Sequence, residues 1–558
     1  MKIVIPMSGF GERFRKAGYT VPKPLIEIEG APIIQHVREM FPGDHEFIFI
    51  CSREHLENDL LRMREILTGL ATRTQIVEVE PHKLGPVYAV SLAYDLIKDD
   101  EQVIVNYCDF TCSWSFEDFK AFVDESGSDA CLPCYTGFHP HMLGTTNYAF
   151  LRHQGLWATD IKEKEPFTDD RMSEYASSGT FYFRSGRLLK KYFDHCMKSD
   201  LRVNGEFYVS MAMKPMIEDG LKVSIYELQH FMQWGTPEDV AEYNYYSAMF
   251  RGLMTTPQSV NRTWKGSIVL PMAGLGSRFA TAGYTVTKPL IPVSGKPMVV
   301  QAALDLPAME QQVFVLRKDI PGVEDVSRTL ESVFPNSRQV MLEAVTDGQA
   351  RTCMFGLTEG VSDDEPVMIG ACDNGMLYSH DAFAALMEDP SVDVIVWAMR
   401  GYPGAAKNPK GYGWLDVDGD TVRAASVKVP LSDPGTDPII VGAFTFKRAG
   451  DFRRCFEHLV ESGVRVNGEL YVDSMVNDAL EMGLRVKTID INFYLCWGTP
   501  NDLKTFEYWQ SCFQKWDRHP YRLEGDVRVE PSKRSALAAA YAWKKPSRPH
   551  RVAKVSNG

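Results

Sequence analysis

Two cations ten residues apart, Arg13 and Lys23, stand just beyond a turn that contains Gly9 and Gly11. A turn free of Cβ atoms lets backbone N–H groups approach a phosphate closely. Two fixed positive charges converging on it would neutralise a triphosphate and its departing pyrophosphate. The set returns as Gly274, Gly276, Arg278 and Lys288, with charge and spacing both kept. Surface salt-bridging is the plainer reading of such a pair, and the repetition counts against it. A Rossmann dinucleotide turn would want a third glycine where Phe14 and Phe279 stand, and a Walker loop would close on Gly-Lys-Ser/Thr, so neither applies.

These residues need a strand before them and a scaffold behind them. Apolar β-rich runs precede each turn, at Lys2 to Pro6 and Ser267 to Pro271, and helical patterns follow at Ile33 to Met40 and Met298 to Leu304. Further strands are expected at 46–51, 103–107 and 130–133, and again at 312–316, 367–370 and 392–398. Strands alternating with helices predict α/β domains with a largely parallel sheet, whose ligands gather at the carboxyl ends of the strands. Other segments repeat in the same order: Cys108-Asp109 as Cys372-Asp373, Asn204-Gly-Glu-x-Tyr-Val from Asn467, and Trp234-Gly-Thr-Pro from Trp497. Anchors this far apart mean two copies of a whole domain, not a short-unit solenoid. The expected layout is a domain over 1–250, a linker over 251–265, a second domain over 266–512 and a basic tail over 513–558. That tail, with Lys544, Lys545, Arg548 and Arg551, reads as a solvated terminus, with binding to an anionic surface as the alternative.

The net charge of −13 argues against a nucleic-acid backbone as the partner, while small anions remain possible in a local cationic pocket. No apolar run reaches the length of a membrane span and no signal peptide is evident, so a soluble cytoplasmic protein is expected. The eleven cysteines lack a regular framework and fit a reducing compartment.

The pattern Gly-x-Gly-x-Arg-Phe-x9-Lys-Pro-Leu-Ile resembles the signature of the sugar-1-phosphate nucleotidyltransferases, or nucleoside-diphosphate-sugar pyrophosphorylases, in both copies. The resemblance implies two tandem Rossmann-like α/β domains, each a mixed, mostly parallel sheet flanked by helices. It implies transfer of a nucleoside monophosphate from an NTP to a phosphorylated sugar or related alcohol, with Mg2+ and release of pyrophosphate. By the same resemblance Arg13 and Lys23 (Arg278 and Lys288) hold the triphosphate, and Asp109 (Asp373) binds the magnesium, as suits a hard cation that bridges phosphate oxygens. Lys164, in Glu163-Lys164-Glu-Pro166, meets the acceptor phosphate, and Lys428 does so in the second copy. Glu163 contacts the acceptor but has become Val427 there, so acceptor specificity is expected to differ between halves. Gly179 and Gly442 match the glycine that lines the acceptor pocket.

Two departures stand out. Relatives carry a second metal aspartate where Gln233 and Cys496 stand, leaving one aspartate helped by water and phosphate, or a further acid such as Glu206 or Glu469. Before the loop glycines Gly85 and Gly348, Glu80 and Glu343 occupy the place of a base-reading glutamine. A carboxylate accepts from cytosine or guanine donors, which favours CTP or GTP; a solvent-facing Glu80 is the alternative. The expectation is thus a tandem enzyme making an NDP-sugar for a surface glycan (capsule or lipopolysaccharide), with the copies as an intramolecular pseudo-dimer. The alternatives are a cytidylyltransferase for choline phosphate, polyol phosphates or phosphonates, and one catalytic half beside a nucleotide-binding regulatory half.

Overall fold

The computed structural model of the chain describes residues 1–9, 11–144, 147–255, 262–358 and 360–548. Two compact units emerge: Met1–Asn244, Lys515–His519 and the stretch from Ala542 form the first, and Tyr245–Gln514 with Pro520–Tyr541 the second. Within the expected linker, 256–261 lie outside the described residues, as do 549–558 of the expected tail, Arg551 included.

In the first unit Lys2–Met7 is the central strand, buried along nearly its whole length. It runs parallel to Glu46–Ser52 on one side and Val103–Asn106 on the other, and Arg73–Val79 adds a parallel strand outside Glu46–Ser52. Continuous apolar runs suit strands covered on both faces. Val4, Ile48 and Val105 share a core with Phe181, Phe193 and Met213. Beyond Val103–Asn106 the direction reverses, because Thr180–Phe183 runs antiparallel to it and to Ala130–Tyr135. Ala130–Tyr135, Val223–Glu227, Trp157–Glu163, Ala149–Gln154 and Tyr175–Ser177 then pair in succession, and the last returns to the first. Only Ala130–Tyr135 with Val223–Glu227 is parallel in this closed five-strand circuit.

The second unit repeats the arrangement. Trp264–Pro271 is central, parallel to Met309–Arg317 and Val367–Ile369, with Arg338–Leu342 outside. Ile439–Phe446 reverses the direction and opens a second circuit through Val394–Met399, Val486–Asp490, Thr421–Val427 and Gly413–Asp418.

The expectation of open, Rossmann-like, mostly parallel sheets is therefore corrected in both units. Antiparallel pairings outnumber parallel ones, and half of each sheet closes on itself as a mixed five-strand barrel. The physical reason is connection length. Ala149–Gln154 and Trp157–Glu163 are joined by a tight turn at Gly155 (φ 59°), which only antiparallel neighbours can use, whereas parallel strands need a long crossover.

Helices cover the sheet where their sequences place an apolar stripe. Gly186–Lys198 buries Leu189, Tyr192, Phe193 and Cys196, one face of a 3.6-residue repeat, and Ser185 Oγ caps it by accepting from the Leu188 N–H at 3.3 Å. Late segments of the chain also pack. In the first unit Trp516 lies 5.4 Å from His36 and 6.2 Å from Trp234 between ring centres. There too Lys545 pairs with Asp118 at 3.0 Å, and Arg548 binds the same carboxylate, so these basic residues are not merely solvated. In the second unit Arg528 pairs with Asp305 at 3.0 Å, both almost fully buried.

Candidate active site

In each unit a small two-stranded ribbon brings two repeated motifs together. Phe110–Ser113 pairs antiparallel with His230–Gln233, so the Trp234 N–H donates to the Asp109 carbonyl at 2.7 Å. Asn374–Leu377 and Phe493–Cys496 do the same in the second unit, with Trp497 N–H to Asp373 O at 2.9 Å. Asp109 therefore sits at the carboxyl end of the Val103–Asp109 run, beside Gly235; a Cβ on Gly235 would come 3.3 Å from Asp109 Oδ2.

A cavity of about 490 Å³ opens here in the first unit, and Gly9, Gly11, Arg13, Lys23, Gly85 and Asp109 all line it. Gly11 takes the left-handed conformation (φ 60°) that starts the Glu12–Lys16 helix. Lys23 Nζ donates to Asp109 Oδ2 at 2.8 Å. Burial favours the neutral amine of Lys23, but the Asp109 carboxylate that accepts from it outweighs this and holds the ammonium above its usual range. The second unit matches this: Lys288 Nζ donates to Asp373 Oδ2 at 2.5 Å and to the Gly498 carbonyl at 3.2 Å. Burial pushes the Asp373 carboxyl up, yet Lys288 and Arg278 together hold it below its ordinary value. Arg278 lies close enough to influence the ionisation of Asp373, Lys428 and Tyr471, so the Gly274–Gly276 turn and the Lys428 segment face one place.

Lys164 and Lys428 both occupy left-handed backbone (φ 62° and 63°), unusual for a side-chain-bearing residue. Lys164 Nζ donates to Tyr208 Oη at 2.5 Å and lies 4.3 Å from that ring's centre, while Tyr208 lines the cavity. Lys428 sits 5.7 Å from the Tyr471 ring and donates to the Gly411 carbonyl at 2.6 Å. Burial lowers its ammonium, and the Asp473 carboxylate opposes this. Glu163 accepts from Ser210 Oγ at 2.5 Å, and burial pushes its carboxyl up to about 7.

The glycines divide. A Cβ on Gly85 would lie 2.8 Å from the Phe207 nitrogen and one on Gly348 2.3 Å from the Leu470 nitrogen, so both are required by close backbone packing. Gly179 (φ 96°) lies against Tyr107, a cavity-lining ring, at 2.9 Å from where its Cβ would be; Gly442 (φ 75°) meets Ala371 and Asn374 instead.

Two expected base-reading residues are not brought to this place. Glu80 follows the Arg73–Val79 strand, is 69% exposed and pairs with Arg53; Glu343 is 80% exposed and pairs with Lys318. The strand ends before the loop turns inward at Gly85, so the carboxylate is left outside, and among the described residues Glu80 does not line the cavity. Glu206, already a candidate acid, lines the cavity, and Tyr208, His82 and Lys83 join it there. The first two belong to the repeated Asn-Gly-Glu-x-Tyr-Val segment, whose recurrence was the available signal; nothing in the spacing marked His82 or Lys83.

No group of three or more His, Cys, Asp or Glu side chains poised for a metal occurs among the described residues. The donor set is nevertheless of the kind magnesium takes, which is one or two carboxylates completed by phosphate oxygens and water. Asp109 and Asp373 supply the carboxylates, and Glu206 shares the first cavity. No described helix is long and apolar enough to cross a membrane.

Residues 3–164 match the family of MobA-like NTP transferase domains. Over 153 residues the chain is 29% identical to the mannose-1-phosphate guanylyltransferase catalytic subunit beta of Danio rerio, covering 26% of this chain and 41% of that protein. Over 144 residues it is 28% identical to the glucose-1-phosphate cytidylyltransferase of Salmonella typhimurium, covering 22% of this chain and 55% of that protein. The chain thus spans only about half or less of the length of these curated relatives. Among solved structures, a nucleoside-diphosphate-sugar pyrophosphorylase from Vibrio cholerae aligns with a TM-score of 0.36 and 21% identity, covering 43% of this chain and 98% of that one. The family match lies within the first unit, and the second unit repeats that unit's strand arrangement.

Proposed function

We propose that each unit transfers a nucleoside monophosphate from an NTP to a phosphorylated sugar or alcohol and releases pyrophosphate. The observation that carries this is the doubled ion pair, Lys23 with Asp109 and Lys288 with Asp373, each next to a glycine turn bearing an arginine. The backbone of the turn and Arg13 would take the triphosphate. Lys23 would exchange its carboxylate partner for a phosphate oxygen, which frees Asp109 for a cation. Magnesium, held by Asp109 or Asp373, would neutralise charge on the triphosphate oxygens. Lys164 and Lys428, propped on Tyr208 and Tyr471, would orient the acceptor phosphate. That phosphate is largely a dianion at neutral pH, with a second pKa of about 6, so no general base is required. What the side chains contribute is in-line placement and charge stabilisation.

The base is proposed to be guanine or cytosine because the relatives named above are a guanylyltransferase and a cytidylyltransferase; Glu80, at the surface, no longer supports that choice. The product would feed surface-glycan synthesis in the cytoplasm. The test is pyrophosphate release with and without magnesium across four NTPs and a panel of sugar, polyol and aminoalcohol phosphates, using the wild type, Lys23→Ala and Lys288→Ala. Each substitution is expected to abolish one activity, or about half of a shared one. No release from any combination sinks the reading, and an unaffected Lys288→Ala makes the second unit a binding module.

A further inference from the structure

The second unit lacks a carboxylate where the first has Glu163, yet an acidic group reaches the same neighbourhood from another element. In the first unit Glu163 pairs across its ladder with Ala149 and accepts from Ser210 Oγ, a side chain of the Val209–Glu218 helix. In the second unit the corresponding ladder pair is Val427 with Gly413, and the residue matching Ser210 is Asp473. Three positions have thus changed together. The carboxylate has left the strand, appeared on the segment that faces it, and gained the space of one Cβ: a Cβ on Gly413 would sit only 2.3 Å from Asp473 Oδ2. An alanine at 413, as at 149, would force the Asp473 carboxylate to shift.

We propose that Asp473 is a specificity-determining contact of the second site, binding a hydroxyl of a polyhydroxylated acceptor whose phosphate is held by Lys428; this rests on the transferase reading above. Asp473 lies near enough to Lys428 to act on its ionisation, and Arg278 acts on Lys428 as well, so the carboxylate belongs to the cluster around the glycine turn. Among the described residues no side chain donates a hydrogen bond to Asp473, whereas Glu163 is already engaged by Ser210. A half-buried carboxylate held at about 6 by burial, with Lys428 opposing, is charged at neutral pH and ready to accept from a hydroxyl. The neighbour differs too: Ala371 stands where the first unit has Tyr107, so a shorter side chain faces Gly442.

The experiment uses the full chain carrying Lys23→Ala and Lys164→Ala, so that turnover reports the second site. Asp473→Asn, Asp473→Ser and the exchange Asp473→Ser/Val427→Glu/Gly413→Ala are compared with this parent, with thermal melts to confirm folding. Pyrophosphate release is followed with glucose 1-phosphate, mannose 1-phosphate and ribitol 5-phosphate. Loss of one hydrogen bond to a charged group predicts an acceptor KM raised about 10- to 100-fold in Asp473→Ser, with the NTP KM within about twofold, and partial recovery in the exchange. An unchanged acceptor KM, equal rises for both substrates, or no recovery in the exchange overturns the inference. If the parent releases no pyrophosphate, calorimetric binding of the same three phosphates decides. Binding that Asp473→Ser weakens supports the inference even where transfer fails, and no Asp473-dependent binding overturns it. The Lys288→Ala chain, in which only the first site turns over, separately shows whether the transferase reading stands.

Discussion

Replacing Glu163 by glutamine tests the electrostatics of the first site through stability. The Glu163 carboxyl moves from an ordinary 4.5 to about 7, because burial penalises the charged form more than the Ser210 hydrogen bond and nearby Lys164 favour it. Below pH 4.5 the group is protonated in folded and unfolded chains alike, and its contribution to stability is fully present. Between 4.5 and 7 the unfolded chain ionises while the folded chain resists, so this contribution is lost as pH rises. Above 7 both states are charged and the loss is complete, on the order of 3 kcal/mol at 1.36 kcal/mol per pKa unit. Glutamine keeps the shape and can still bond Ser210 Oγ, but it does not ionise. The variant should therefore match the wild type near pH 4.5 and exceed it by about 3 kcal/mol at pH 8. Urea unfolding of both chains at a series of pH values, read on the transition of the first unit, measures the difference with the shared background cancelled. A wild-type-minus-variant difference that is flat from pH 5 to 8, or that grows in the opposite direction, would refute the argument.

Lys23→Ala and Lys288→Ala should each lower transfer at their own site by roughly 100- to 1,000-fold, the scale of losing one preorganised charge contact, as read by pyrophosphate release. Gly85→Ala and Gly348→Ala should destabilise their units by about 1 to 3 kcal/mol in thermal melts, Gly348→Ala more so, because its Cβ would meet the Leu470 nitrogen at 2.3 Å against 2.8 Å at Phe207. Tyr208→Phe removes the hydroxyl under Lys164 and should raise the acceptor KM several-fold while leaving the NTP KM unchanged. Asp118→Asn should loosen Lys545 and Arg548, so that limited trypsin digestion cuts the C-terminal segment faster than in the wild type.

The sequence carried the local elements and the clustering of Gly9, Arg13, Lys23 and Asp109 because each is a short motif in fixed order after an apolar strand. It did not carry the five-strand circuits. An apolar run such as Ala130–Tyr135 does not state the direction of its neighbour, and the closing strand Tyr175–Ser177 is three residues long, too short for any period to show. Glu80 stays open between base reading and solvent in the sequence for a similar reason: its distance from Gly85 fixes its position along the chain but not the side of the strand end on which it turns, and in the structure it faces solvent. Asp473 escaped notice because comparing the copies position by position registers Val427 as a loss, while the compensating acid stands where the other copy has serine.

Every strand of the five-strand circuits has a neighbour on both sides, so the described sheet of each unit ends only at its parallel side, at Arg73–Val79 and Arg338–Leu342. An unpaired edge is a template on which another chain can add a strand. In the first unit that margin is crossed by charge, with Glu78 gripped by Arg53 and Arg64. In the second, the Lys318–Glu343 pair stands beside Met341, 38% exposed on the end strand, and Val345, 56% exposed just after it, so this margin offers an added strand more apolar surface than the first.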